Sequence, residues 1–351
     1  MTVVESNENC GICIGKWYDE NVRTRRLLLI APVFFGYYKE MIKEAKTLGY
    51  DVTYICDSPS NSNLLKAVGR VNKNLIQISV NKYFSEKVIP TVENNSFDKV
   101  LIVGGMTFSF TPNMIARLKE LMPAAEFIMY QWDSEHNLPY STGIHPYIDR
   151  LYSFDRHDCE SDSKYNFLPL FYIRQYEETG REKNEKFEYD FSYVGTAHPQ
   201  KYKYINEISS VLKETYSRQY IYHYMPSIFK YAYHKAVDKE FAGAKYREFK
   251  TEKLSSAEMA EVFRKSKCIL DAPQKGQTGL TIRTLECLGA KKKLITSNAD
   301  IVNYDFYDER NILVYDGKID LNSDFFKYDY REIPEMIYEK YSLLSWMKCL
   351  V

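Results

Sequence analysis

At 351 residues the chain is too long for one ordinary core and suits two domains of roughly 150 residues each. A hydrophobic fraction of 45% and a charged fraction of 27% exclude extensive disorder, and 47 basic residues balanced by 47 acidic ones argue against a nucleic-acid binder. No apolar run approaches the roughly 18 residues that span a bilayer, and the start of the chain has no signal-peptide pattern, so a cytoplasmic protein is expected.

Residues 1–24 lack periodicity and read as a loose arm. From Arg25 onward, short β-rich runs alternate with helical stretches. Leu27–Ala31 is a continuous apolar strand, and Tyr38–Leu48 a helix stopped by Gly49. Val52–Cys56 and Lys99–Val103 are further strands, the second closed by Gly104 and Gly105. Thr111 and Pro112 open a helix to Met122, threonine as cap and proline in the first turn. Phe127–Tyr130 and Leu151–Phe154 complete the strands of this half. The charged stretch Glu177 to Glu188 interrupts the pattern and is the expected linker.

The alternation then restarts. Phe191–Val194 is a strand, Lys201–Lys213 a helix and Gln219–Tyr224 a strand. Ser255 with Glu258 is a capping-box pair opening a helix to Lys265. Cys268–Asp271, Lys293–Thr296 and Ile312–Tyr315 are strands around a helix from about Leu280 to Ala290, and Pro334–Met347 is a final helix. Strands and helices alternating at this spacing build parallel sheets from βαβ units. The expected organisation is two Rossmann-like α/β domains, 25–180 and 185–333, with 334–351 as a C-terminal helix packing back on the first.

The richest segment for chemistry runs from Asp271 to Asn298. A buried strand ends at Asp271 and enters a loop with Lys275, Gly276, Thr278, Gly279 and Thr281 before a helix. A glycine-containing loop feeding a helix N-terminus offers backbone N–H groups and the positive end of the macrodipole, which suits a pyrophosphate. On that helix Glu286 could accept hydrogen bonds from ribose hydroxyls, and Arg283 could meet a phosphate or pair with Glu286 itself. In Tyr189 to Lys203 an alternating strand ends at Gly195 and Thr196, where a glycine would let a ligand approach the backbone. An ordinary βα turn explains either segment equally well.

In the first half, Asp133, Glu135 and His136 follow an apolar strand, at the edge of a parallel sheet that faces the ligand crevice. Asp133 is the preferred general base for an acceptor hydroxyl, with Glu135 and His136 behind it; the alternative for Asp133 is a cap on the following turn. Asp155 and Asp158 are second-tier candidates. Tyr220 to Lys235 interleaves aromatics with lysines and histidines, a mix that suits a lipid headgroup surface or packing against the core. The seven cysteines are scattered and read as reduced thiols. Cys10 and Cys13 have metal-ligand spacing, yet no second pair completes four ligands.

Together these segments resemble the CgeB-like glycosyltransferases, within the broader glycosyltransferase-4-like C-terminal domain. RTLECLGAKKKLIT (283–296) is similar to that family's R-T-x-E…L-L-T segment, and YDFSYVGT (189–196) to its first strand. DRLYSFD (149–155) with Phe167, Leu168 and Pro169 resembles a D-x-[VL]-x-S-x-D…L-P pattern closing its first half. The resemblance implies a GT-B fold, two Rossmann-like domains facing a central cleft. It also implies a nucleotide-sugar donor on the C-terminal domain, no obligatory metal, and Arg283, Glu286 and Gly195 at the donor site. Two positions depart from the pattern: Ala290 and Lys291 stand where many relatives carry Cys-Gly, and Thr278 stands where the retaining E-x7-E signature needs an acid. The expected function is metal-independent transfer of a sugar to a hydroxyl of a growing surface glycan, with a glycan or lipid-linked glycan acceptor and a membrane surface as candidate partners. A GT-B sugar-nucleotide 2-epimerase and a non-catalytic nucleotide-sugar-binding scaffold are the alternatives.

Overall fold

The computed structural model describes residues 23–59, 73–135, 139–182, 186–273 and 278–351. Two six-stranded sheets account for its strands, and every pairing in both is parallel.

The first sheet comprises β1 (Arg25–Ala31), β2 (Tyr50–Cys56), β3 (Lys99–Gly104), β4 (Glu126–Gln131), β5 (Arg150–Ser153) and β6 (Tyr165–Phe167), in the order β2-β1-β3-β4-β5-β6. Its central strands are apolar throughout because helices cover both faces, leaving Leu27 to Ile30 and Val100 to Val103 without solvent contact. Helices α1 (Tyr37–Thr47), α2 (Pro112–Leu121) and α3 (Arg156–Ser161) belong to this half. Thr111 caps α2 by accepting the Met114 N–H, as its position before proline implies.

A helical run from Gln77 to Glu93 escaped the sequence reading. Its buried side chains, Val80, Phe84, Val88 and Val92, recur every fourth residue and continue from Ile76 at its N-cap. A spacing of four drifts about 40° per step on an α-helix. Here a π turn at Phe84–Val88 takes up the drift and keeps the stripe on the sheet.

The second sheet comprises β7 (Tyr189–Thr196), β8 (Gln219–Tyr224), β9 (Phe249–Lys250), β10 (Ser266–Asp271), β11 (Lys293–Thr296) and β12 (Ile312–Val314), in the order β12-β11-β10-β7-β8-β9. Numbered within its own domain this is the 3-2-1-4-5-6 order of dinucleotide-binding folds, with the order reversing between β7 and β10. Its helices are α4 (Arg174–Arg181), leading in from the first domain, then α5 (Pro199–Leu212), α6 (Ile228–Val237), α7 (Ser256–Lys265) and α8 (Ile282–Gly289). The capping box of α7 forms in both directions between Ser255 and Glu258.

Two expectations need correcting. The stretch read as a linker, Glu177 to Glu188, begins inside α4, where Tyr176 is buried and Gly180 lies against the backbone of Gly289, so a side chain at 180 would collide with it. The final helix is two, α9 (Glu335–Lys340) and α10 (Leu343–Leu350). The break arises because Tyr172 bridges it, donating its N–H to Tyr341 O at 2.9 Å and accepting that of Leu343 at 2.8 Å. Ser342 then caps α10. The Trp346 ring packs on Tyr130 and Phe171, and the Arg150 guanidinium donates to Leu350 O, so α10 lies on the first domain.

The largest apolar core runs on from one domain to the other through Tyr37, Phe171, Tyr176 and Phe263. The carboxyl edges of the two sheets face each other across it: Gly279, beyond β10, sits so close to Phe154, beyond β5, that a Cβ there would lie 2.6 Å from its ring.

Candidate functional site

In an open parallel sheet, ligands bind outside the carboxyl ends of the strands where the strand order reverses. In the second domain that place lies beyond β7 and β10. Strand β7 delivers Gly195 and Thr196, which form its last two residues and pair with β8 rather than lying after it. The glycine is needed for a local reason as well, since a side chain at 195 would strike the hydroxyl of Tyr193. That hydroxyl is buried without a hydrogen-bond partner.

Strand β10 ends at Asp271, a buried carboxylate that accepts from the hydroxyls of Thr281 and, at 3.3 Å, Thr284. Thr281 in turn caps α8 by accepting the Thr284 N–H. Lys201, in the first turn of α5, feels the same carboxylate. Burial lowers its pKa and Asp271 opposes the shift. Sequence reasoning passed over Lys201, although it follows the Gly195 turn within the first helical turn.

Beyond Asp271, Lys275 and Gly276 lie outside the described residues, as do His136 and the Cys10–Cys13 pair. The residues that follow correct the expectation of an open anion cradle. The N–H groups of Thr278 and Gly279 donate to Asp155 Oδ2 at 3.3 and 3.2 Å, and the Thr278 hydroxyl donates to Asp155 Oδ1. Asp155 is only 2% exposed and also caps α3 through the His157 N–H. The loop leading into α8 is thus closed by a carboxylate from the opposite domain. Asn298 holds the other side of the loop, donating to Thr278 O at 3.0 Å.

Glu286 also differs from expectation. Rather than standing open to a ligand it is 2% exposed, with Oε2 taking the Arg283 guanidinium at 2.5 Å and Oε1 taking the hydroxyl of Tyr37 from α1. The buried Tyr176 hydroxyl also acts on this carboxylate. Burial raises the Glu286 pKa above the ordinary carboxylate range, opposed by Arg283 and the two tyrosines. Burial works hardest against the Arg283 charge, but Glu286, Tyr176, Tyr37 and Asp271 together outweigh it and keep the guanidinium firmly protonated. Arg283 also lies over the Phe263 ring at 5.3 Å. Tyr37 and Tyr176 could not be found from local sequence, because they reach Glu286 from α1 and α4.

The first-domain acids separate. Asp133, half-buried past the end of β4, accepts the Met106 N–H from the loop after β3 at 3.2 Å, so it bridges two strand ends. Glu135 is turned to the far edge of the sheet, accepting from the Tyr165 hydroxyl at 2.5 Å with Lys164 3.8 Å away. Its backbone N–H and the Ser153 hydroxyl are held by Asp158, which is buried and structural. These contacts give Glu135 a role in anchoring β6.

Cys56, Cys159, Cys268, Cys287 and Cys349 are free thiols. Among the described residues no group of three or more His, Cys, Asp or Glu could hold a metal ion, and no helix is long and apolar enough to cross a membrane.

No protein-family model matches the chain, and no curated protein matches its sequence. Solved structures match its fold. Sucrose-phosphate synthase from Thermosynechococcus elongatus superposes with a TM-score of 0.52 over 83% of this chain and 85% of its own, at 8% identity. Anabaena HepE in complex with UDP and glucose gives 0.48 over 84% and 86% at 10% identity. The apo form of the lipopolysaccharide outer core galactosyltransferase WaaB gives 0.46 over 92% and 97% at 14% identity. With the strand orders and the facing carboxyl edges, the first of these likenesses establishes the architecture: the chain has a GT-B fold of two Rossmann-like domains.

Proposed function

We propose that the protein transfers a glycosyl group from a nucleotide-activated sugar to a hydroxyl of a growing surface glycan, in the manner of the CgeB-like enzymes its motifs resemble. The observation that carries this reading is the meeting of the two sheet edges, where first-domain groups, Asp155 and Tyr37, hold the second-domain groups suited to a nucleotide diphosphate. Asp155 supplies negative charge to the Thr278 and Gly279 N–H groups, as a diphosphate would. Tyr37 supplies a hydroxyl to Glu286, as a ribose would. Domain opening frees both, and donor binding replaces one set of partners with the other.

With the donor beyond β7 and β10, Lys201 and Arg283 carry the cationic load on the diphosphate, so the reading needs no metal. Asp133, on the first domain, takes the proton of the acceptor hydroxyl, and closure brings it to the sugar. The acceptor is a surface glycan or lipid-linked glycan, met at the cytoplasmic face of a membrane.

Thermal melting in a panel of nucleoside diphosphates and nucleotide sugars tests the proposal. The matching nucleotide should stabilise the protein by about 2.7 kcal/mol at a hundred times its Kd. Glu286→Gln should weaken that binding by roughly ten- to a hundredfold. Turnover should persist in EDTA. A panel in which no nucleotide raises the melting temperature removes the donor site and the proposal with it.

A further inference from the structure

Helix α6 has no buried side chain, which sets it apart from the other helices of its domain. Tyr231 and His234 face the protein, the Tyr231 hydroxyl donating to Ala244 O at 2.9 Å and the His234 ring lying 5.3 Å from Phe241. On the other side Ile228, Phe229, Ala232, Tyr233, Ala236 and Val237 are all exposed. Four of them are large: Ile228 is 53%, Phe229 83%, Tyr233 63% and Val237 57% exposed. At about 100° per residue, these positions form one arc of about 180° along the outer face. Lys235 stands at one border of the arc, its ammonium 2.8 Å from Ala244 O, and Lys230 at the other.

The surroundings carry a matching charge. Between Ile228 and Lys250 the chain has six Lys and Arg against three Asp and Glu, in a protein whose total charge balances. Two of those acids are engaged inward, Asp238 by His234 at 2.7 Å and Glu248 by the Tyr202 hydroxyl at 2.5 Å. A short helix with an apolar half, lysines on both borders and a basic neighbourhood is built to lie in the plane of a headgroup layer. Its length of about 15 Å is too small for a stable protein interface, which takes roughly 800 Å² from each partner. We infer that α6 docks the protein on an anionic lipid surface, its apolar arc entering the acyl boundary and its lysines meeting the headgroups. The inference stands on this helix alone and does not depend on the glycosyl-transfer reading.

Sedimentation of the full-length protein with phosphatidylcholine vesicles, with and without phosphatidylglycerol, tests it. The protein should pellet with the anionic vesicles, less so at high salt. Phe229→Glu should lower the partition coefficient roughly ten- to a hundredfold. Lys230→Gln should lower it about fivefold. An unchanged melting temperature shows that each variant is folded. Absence of binding to anionic vesicles, equal binding to neutral ones, or binding that survives Phe229→Glu each overturns the inference. A concentration-dependent dimer that Phe229→Glu abolishes, without vesicle binding, assigns the face to a second copy and overturns it too.

Discussion

The two sheet edges that meet at the domain boundary differ in how they hold their charged groups. In the second domain Asp271, Arg283 and Glu286 are gathered within one strand–loop–helix unit, and Glu286 with the Thr278–Gly279 N–H groups is engaged from across the boundary. In the first domain Asp133 and Glu135 are engaged within their own domain, by Met106, Tyr165 and Lys164. On the proposed reading the second edge exchanges Asp155 and Tyr37 for the donor, whereas Asp133 keeps its contact within the first domain and stands as a fixed group. The loop before α8 explains part of this: the N–H groups of Thr278 and Gly279 need an acceptor, and Asp155 supplies it from the first domain.

The strongest challenge to this comparison is Asp133→Asn. If the fixed group is the base, the substitution lowers turnover by about 10²–10⁴-fold, while nucleotide affinity on the other domain stays nearly constant. Steady-state kinetics beside calorimetric titration separates the two quantities. Wild-type turnover in the variant would reduce Asp133 to a brace between β3 and β4.

Next comes Asp155→Ala, which strips Thr278 and Gly279 of their buried acceptor and α3 of its cap. Hydrogen bonds to a charged group contribute about 1.5–3 kcal/mol, so urea unfolding should show a loss of at least about that size. A saturating nucleoside diphosphate should restore part of it by taking over the same N–H groups. Equal losses with and without nucleotide would mean that Asp155 and the diphosphate do not share a site.

Tyr37→Phe sharpens the comparison with a smaller change. It removes one hydroxyl from Glu286 and should cost about 1 kcal/mol of stability. Nucleotide affinity should rise, because the ribose no longer competes with Tyr37 for the carboxylate. Calorimetry that finds weaker binding would place Tyr37 among the groups that support the donor.

The last prediction concerns pH, and involves neither edge. Burial depresses the pKa of His223 to about 4, among the rings of Tyr193, Tyr202 and Phe249. The unfolded chain binds this proton near pH 6.5 and the folded chain does not, so stability rises with pH across that window. The contribution is complete above about 6.5 and falls away as pH drops toward 4. Burial holds His145 and His198 at about 4 as well, adding to the same trend. Melting temperatures measured from pH 7 to 5 should decline less steeply for His223→Phe than for the wild type.

The sequence by itself determined where most strands and helices lie and that they alternate in two blocks, because burial on both faces leaves an apolar run such as Leu27–Ala31 few other conformations. It also determined local caps, such as Thr111 before Pro112 and the Ser255–Glu258 box, since these depend on neighbours three residues apart. Strand order, and with it the place where order reverses beside Asp271, came only from the tertiary structure. The partners of the site residues did too. Tyr37 is 249 positions from Glu286, and Asp155 is 124 from Gly279. No local pattern encodes those meetings: they follow from two sheets meeting edge to edge, which sets the carboxylate of one domain against the loop N–H groups of the other.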